Sequence, residues 1–189
     1  MTESMQISRA PHRPVKPRVE YDSPAIRWGE MKSPLGPLFV AVSERGVRAI
    51  EFGRRKPRFS TLSRKNARLE KNSRAVAPVM AQLRAYFSGR RTSFDLPLDL
   101  SSLTSFQRQV LAITRRIPSG EMWSYQRVAQ EMGRAKSSRP VGQALGCNPI
   151  PIVIPCHRVI ASDGSLGGYS GGSGLATKRW LLRHEGAPS

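Results

Sequence analysis

A thiol and an imidazole stand side by side at Cys156 and His157, inside the run Ile152-Val153-Ile154-Pro155-Cys156-His157-Arg158-Val159-Ile160. Apolar β-formers flank Pro155 and return at Val159-Ile160. The run therefore reads as a short buried extended segment that the proline breaks, with the thiol held at the break. Cysteine attacks as its thiolate, and a free thiol with a pKa of about 8.5 needs a proton acceptor nearby to react at neutral pH. A neighbouring histidine is a candidate acceptor. Free cysteine is also one of the most buried residue types, so the pair alone leaves open a nucleophile or a packing residue. Glu185 is the third group of interest. It falls at the end of the last helix, where the dipole disfavours a carboxylate, and is either a surface residue or one that holds a cationic or N–H partner inside the fold.

The elements that must position these groups follow in chain order. Residues 1–24 carry four prolines among basic residues and few large apolar ones, so a disordered basic tail is expected. From Ile26 to Phe52 alternating apolar runs are separated by Ser33-Pro34-Leu35-Gly36 and Glu44-Arg45-Gly46, which gives a small antiparallel meander. Residues 53–74 hold nine Arg or Lys and read as a basic loop, with a helical piece near 62–69. Val76, Val79, Met80, Leu83 and Phe87 form one helical stripe that Gly89 ends. Residues 92–103 read as an extended linker. Thr104-Ser105-Phe106-Gln107 is a capping box opening a helix buried through Phe106, Val110 and Ile113.

Next comes a pair of short helices. Ser124 caps 125–132, Gly133 turns the chain, and a second helix starts near Ser138 or Arg139 and reaches Leu145. That second helix offers Pro140, Val141, Gly142 and Ala144 with one cation, Arg139, at its start. A major-groove reader carries more Arg, Asn or Gln; small residues with one arginine suit close approach to a minor groove. The Gly167–Gly174 stretch is a glycine-rich loop around Tyr169 without the Lys-Ser/Thr ending of a phosphate loop, and a pliable wall over a pocket is expected. Thr177 then caps a helix over 178–184 that is buried through Trp180 and Leu181. The domains are thus a 1–24 tail, a 25–91 α/β domain, a 92–103 linker and a 104–189 domain carrying the cysteine.

Lys plus Arg is 31 against 13 Asp plus Glu in 189 residues, a net charge of +18. That excess points to a polyanion, nucleic acid first and an acidic membrane face second. No apolar run approaches the roughly 20 residues of a membrane span, and a soluble intracellular protein is expected. Cys147 and Cys156 with His12, His157 and His184 match no structural zinc spacing.

The chain resembles the 6-O-alkylguanine-DNA alkyltransferase (methylated-DNA–protein-cysteine methyltransferase) family from about Ser33 to Gly186. The resemblance is carried by Ser105-Phe106-Gln107-Arg108-Gln109-Val110, Gly120-Glu121, Ser124-Tyr125, Arg139 with Val141-Gly142, Asn148-Pro149, Pro155-Cys156-His157-Arg158-Val159, Tyr169-Ser170-Gly171-Gly172, Trp180-Leu181-Leu182 and His184-Glu185-Gly186. It implies an α/β (α+β) architecture, with a ribonuclease H-like N-terminal domain of antiparallel sheet and helix, and a helical, winged helix-turn-helix-like domain holding the cysteine.

It also implies direct-reversal repair. A 6-O-methylguanine in double-stranded DNA, and also 4-O-methylthymine, would be flipped out through the minor groove and its alkyl group moved irreversibly to Cys156. His157 would be the proton acceptor, through one bridging water, because adjacent strand side chains face opposite ways. Glu185 would fix the His157 tautomer. Asn148 would brace the turn beneath the cysteine, and Tyr125 would donate to the departing guanine. Backbone groups at Cys156 and Val159 would read the base edge, and Tyr169 and Ser170 would cover it. Arg139 would fill the gap left by the base, with Ser138, Pro140, Gly142 and Gln126 against DNA.

The resemblance implies no cofactor, no metal and a monomer that clusters on DNA, in the cytoplasm with the nucleoid or in a nucleus. Pro140 stands where small residues such as alanine are common, Ser119 where some relatives carry a bulky aromatic, and the loop at 171–174 is two residues longer than usual. Some members bind zinc in the first domain; this one has no cysteine there. A lesion-binding relative that only flags damage, a basic helix-turn-helix regulator and a Cys-His peptidase or acyltransferase are the competing readings. The flagging relatives lack the cysteine that is present here.

Overall fold

A computed structural model of the chain describes residues 25–53, 59 and 68–188. The 1–24 tail, most of the basic 53–74 loop and residues 62–67 of the helical piece expected at 62–69 lie outside the described residues, while Leu69 falls in a strand. Strands β1 (Ile26–Ser33), β2 (Gly36–Ser43) and β3 (Gly46–Phe52) form the expected antiparallel meander. Gly36 and Gly46 turn with φ of 93° and 129°, a region that only glycine enters without strain. A fourth strand, β4 (Leu69–Lys71), falls where sequence reading expects loop; it pairs in parallel with β1, so the sheet order is β3-β2-β1-β4.

Helix α1 (Ser73–Phe87) starts three residues ahead of Val76, the first residue of the expected stripe, because Asn72 accepts the Ala75 N–H and caps it. Val76, Val79, Met80 and Leu83 are buried against the sheet as expected. The last buried residue is Tyr86, however, and Phe87 is only half-buried.

Residues 92–103 are held to the sheet. The Val47 N–H donates to Pro97 O and the Asp99 N–H to Val47 O, both at 2.8 Å. Arg48, buried under the sheet, pairs with Asp99 at 3.2 Å and also donates to Asp99 O and Ser101 Oγ.

The second half opens on α2 (Ser105–Thr114), whose capping box between Thr104 and Gln107 has both of its hydrogen bonds. Its buried stripe is Val110, Leu111 and Thr114; Phe106 and Ile113, expected inside, are half-buried. The strand pair β5 (Trp123–Ser124) and β6 (Val159–Ile160) runs parallel and matches Trp123 with Val159. This two-rung ladder sets the start of α3 (Tyr125–Glu131) beside the cysteine turn. Gly133, at φ 68°, then turns the chain toward α4 (Ser138–Gly146), completing the helix pair.

The last helix, α5 (Leu175–His184), begins earlier than expected. Thr177 is not its cap but lies inside it, buried, accepting from the Ser173 N–H at 2.9 Å. Trp180 is half-buried and stacks on His184 with centroids 4.9 Å apart. The two halves share one apolar core running from Met31 and Val40 through Leu83 and Val110 to Leu181. Among the described residues, no helix is long and apolar enough to cross a membrane.

The Arg48–Asp99 pair generates a stability prediction. Removing one partner leaves the other charge buried and unpaired, so Asp99→Leu should lower unfolding stability by about 3 kcal/mol. Arg48→Met with Asp99→Leu together should cost less than Asp99→Leu alone. Urea unfolding midpoints check both.

Candidate active site at Cys156

Between Asn148 and Cys156 the chain does not run as the extended segment expected from sequence. Pro149, Pro151 and Pro155 lack N–H groups, and no ladder forms. The Ile154 N–H instead closes back on Ile150 O at 2.9 Å. Ile152 sits at the corner with φ 73°, a costly conformation for a β-branched residue, and it is 1% exposed. Burial of Ile150, Ile152 and Ile154 holds the turn closed. Asn148 ties it from inside: its Oδ1 accepts the Ile150 N–H at 3.0 Å and its Nδ2 donates to Ile154 O at 2.9 Å. The β3 backbone adds an Ile50 N–H to Pro149 O bond at 2.9 Å from the sheet domain.

Cys156, His157 and Arg158 then form a single 3-10 turn and are all buried. Because this is a helical turn and not a strand, the alternating-face expectation for Cys156 and His157 does not apply. Cys156 Sγ accepts from Asn148 Nδ2 at 3.1 Å. Burial pushes the thiol up, while the Asn148 hydrogen bond and then the Lys178 charge pull it down; the balance lies above an ordinary cysteine. The resting group is a thiol.

His157 Nε2 lies 2.9 Å from Glu185 Oε1, with both side chains inside the protein. Burial lowers the imidazole pKa, opposed by the carboxylate, so the ring is neutral at pH 7. Facing a carboxylate, Nε2 must carry the proton and donate it. Nδ1 is therefore an acceptor, and it is buried without a hydrogen-bond partner.

Glu185 caps α5 and turns inward. Burial would raise its pKa, but hydrogen bonds from His157 and Arg158 take it down to about 2. The Arg158 fork supplies Nε to Oε2 at 2.7 Å and Nη2 to Oε1 at 2.9 Å, while its Nη1 donates to Ile117 O at 2.5 Å. Tyr86, from α1, donates its hydroxyl to Oε1 at 2.7 Å.

On the other side of the sulfur lies a pocket of about 270 Å³ lined by Tyr125, Gly142, Leu145, Gly146, Cys156, Gly168, Tyr169 and Ser170. Burial raises the Tyr125 pKa, and the Gly168 N–H bonded to its oxygen partly offsets this. A hydroxyl that accepts there keeps its own hydrogen free to donate. A Cβ at Gly142 would stand 3.6 Å from the Tyr125 ring, an ordinary contact, whereas one at Gly167 would come 3.0 Å from the Tyr125 hydroxyl. Ser170 Oγ donates to Gly146 O at 3.2 Å and pins the glycine-rich segment to the end of α4.

Tyr169 presents a buried hydroxyl with no partner. A second cavity of about 310 Å³ reaches Cys156 from the sheet side, past Ile50, Phe52 and Asn148. Arg139 and Pro140 are exposed on the first turn of α4, with Ser138 half-buried beside them. Gln126 bridges to Ala135 O at 2.9 Å across the helix-pair turn.

The structure thus gathers Cys156, Tyr125, Gly142, Tyr169 and Ser170 at one pocket, with Asn148 bonded to the sulfur from the second cavity and His157 and Glu185 bonded behind it. Arg139, Pro140, Ser138 and Gln126 stay on the surface of the helix pair. Three residues escaped the sequence reading of the site. Tyr86 lies one residue before Phe87 and is not part of the expected stripe. Arg158 was read only as part of a motif. Lys178 figured only as the first residue of the last helix.

Lys178 is fully buried, its Nζ donating to Val159 O at 2.5 Å, to Leu166 O and to Gly168 O at 3.5 Å. Burial brings its pKa down to about 8. It joins the cysteine turn to the glycine-rich wall. Among the described residues, no group of three or more His, Cys, Asp or Glu could hold a metal ion.

Two family models match the chain: the 6-O-methylguanine DNA methyltransferase ribonuclease-like domain over residues 26–100, and the 6-O-methylguanine DNA methyltransferase DNA binding domain over residues 105–187. The chain is 40% identical over 162 residues to the methylated-DNA–protein-cysteine methyltransferase of Salmonella typhimurium, covering 83% of this chain and 94% of that one. It is 41% identical over 155 residues to the protein of that name from Methanosarcina barkeri, covering 82% and 94%. Among solved structures it is similar to Mycobacterium tuberculosis OGT in complex with DNA, with a TM-score of 0.72, 36% identity, and coverage of 86% of this chain and 96% of that one.

The Glu185 carboxylate generates an acid-stability prediction. Its folded pKa of about 2 lies below the ordinary 4.5, so the unfolded chain binds the extra proton between those values. Its stabilisation is complete above the ordinary pKa and is lost as pH falls toward the folded one. Unfolding midpoints should drop across that window, and Glu185→Gln should flatten the drop while lowering stability at neutral pH. Thermal melts across the acid range check this.

Proposed function

The chain belongs to the 6-O-methylguanine DNA methyltransferase family, and on that premise we propose that Cys156 is the cysteine that takes the alkyl group from 6-O-alkylguanine in double-stranded DNA. The reaction is direct-reversal repair, and it spends the protein once. The observation that carries this reading is the place of the sulfur: it lines the pocket between the helix pair and the glycine-rich segment, with a neutral buried imidazole behind it.

Each residue then has a task. His157 Nδ1, the free acceptor, takes the thiol proton through one bridging water. The sulfur attacks the alkyl carbon; the S–C bond forms as the C–O bond breaks, and the electron pair leaves with the guanine. Tyr125 donates its hydroxyl hydrogen to the departing base. The thioether that results has no easy leaving path, so the protein does not turn over.

Asn148 holds the turn and touches the sulfur, which keeps the nucleophile in line with the pocket. Backbone groups of Cys156 and Val159 meet the guanine edge, the latter carbonyl anchored by Lys178. Tyr169 and Ser170 cover the ring.

A base inside a duplex cannot reach this pocket, so it must be flipped out at a cost of a few kcal/mol. Arg139 occupies the gap it leaves. Pro140, in the first turn of α4, fixes the helix start, and Ser138, Gly142 and Gln126 lie against the minor groove. The net charge of +18 supplies attraction to the phosphates, and the Mycobacterium tuberculosis relative is solved with DNA. 4-O-methylthymine is a further substrate. The protein works as a monomer that clusters on DNA, in the compartment holding the chromosome.

Incubation with duplex carrying 6-O-methylguanine, followed by intact mass, tests the assignment. The peptide holding Cys156 should gain the mass of one methylene, and Cys156→Ala should gain none. Tight lesion binding without a mass gain would indicate a flagging protein. Arg139→Ala should slow repair of duplex about tenfold or more beyond its effect on the free modified base; equal slowing of both would remove its role in flipping.

A further inference from the structure

The carboxylate behind His157 receives a donor from outside the domain that carries the cysteine. We propose that Tyr86, on α1 of the sheet domain, is a positioning residue that sets the proton affinity of His157 by sharing the oxygen Glu185 Oε1 with it. The inference rests on the alkyl-transfer reading of Cys156 and carries that chemistry across the domain boundary.

Oε1 takes three donors: His157 Nε2 at 2.9 Å, Arg158 Nη2 at 2.9 Å and the Tyr86 hydroxyl at 2.7 Å. An oxygen with two lone pairs cannot serve three donors equally, so each one draws charge away from the bonds to the others. A carboxylate with undivided charge would favour the imidazolium form of His157. The Tyr86 hydroxyl therefore works against protonation of His157 and keeps the ring available as an acceptor.

Tyr86 is fixed for this task. It is 1% exposed, its ring packs on Phe87, Phe94 and His184, and its carbonyl is 2.8 Å from His184 Nε2. Burial, and then the Glu185 charge, hold its hydroxyl far above the ordinary tyrosine pKa. It therefore remains a donor through the neutral and mildly alkaline range.

The titratable and charged groups acting on this cluster come from four elements. The 3-10 turn brings Cys156, His157 and Arg158, and α5 brings Lys178, His184 and its cap Glu185. The glycine-rich segment brings Tyr169, and α1 brings Tyr86. Of these, the Tyr86 hydroxyl can be deleted without touching the cysteine-bearing domain.

Tyr86→Phe keeps the ring and removes the hydroxyl. Single-turnover transfer from 6-O-methylguanine duplex, followed between about pH 5.5 and 9, should show the acid limb moved up by about half a pH unit. On that limb the rate should fall about threefold, with the alkaline plateau within about twofold of the parent. Nitrogen NMR should show His157 titrating higher in the variant by the same interval.

Superimposable profiles would overturn the inference. So would a uniform loss at every pH with His157 titrating as in the parent, since that is the signature of packing alone. A parent protein that transfers no alkyl group at any pH would overturn the alkyl-transfer reading itself. A parent that transfers normally while Tyr86→Phe keeps its profile overturns this inference only.

Discussion

Burying the carboxylate of Glu185 is the constraint on which the rest of this site depends. An ion removed from water costs several kcal/mol unless it is paired and fully hydrogen-bonded. Here the donors come from His157, the Nε and Nη2 groups of Arg158, and Tyr86. Satisfying that carboxylate fixes three things at once: the closed 3-10 turn, the inward direction taken by the end of α5, and the contact between α1 and the second half of the chain. It also fixes the imidazole. With the proton committed to Nε2, the other nitrogen is left with a free lone pair, buried and without a protein partner.

The sulfur is held in balance by opposing effects. Burial favours the thiol; the Asn148 hydrogen bond and the Lys178 charge favour the thiolate. Since burial prevails, the thiolate of the proposed reaction is made when a proton acceptor takes the hydrogen and does not stand ionised in advance. A protonated thiol is also slower to oxidise, which suits a group used once. Lys178 has a second effect, because the same amine that acts on the sulfur binds carbonyls of the cysteine turn and of the glycine-rich wall. Charge and shape of the pocket are thereby linked through one buried cation.

Where local chemistry decides structure, the sequence was readable. The meander follows from alternation and turn residues, the α2 start from Thr104 and Gln107, and the helix pair from Ser124 and Gly133. The misses at β4 and Lys178 share a cause, which is a partner distant in sequence. Leu69-Glu70-Lys71 has no alternating pattern and becomes a strand only because β1 offers an edge. The segment before the cysteine looked extended by its Ile and Val content, but three prolines and the Asn148 side chain bend it into a turn. Lys178 opens the expected last helix with nothing in its local sequence to show that three carbonyls surround it. The candidate site was legible as a set of residue types at Cys156, His157 and Glu185; what the sequence could not reveal was that Arg158 and Tyr86 complete the same carboxylate.

The central claim is that His157 is neutral with its proton on Nε2, leaving Nδ1 to receive a proton from Cys156. Long-range nitrogen–proton correlation NMR of the unreacted protein at neutral pH tests it most directly. The account predicts the Nε2–H tautomer, with Nδ1 showing the shift of an unprotonated nitrogen. An imidazolium, or a ring protonated at Nδ1, would contradict it.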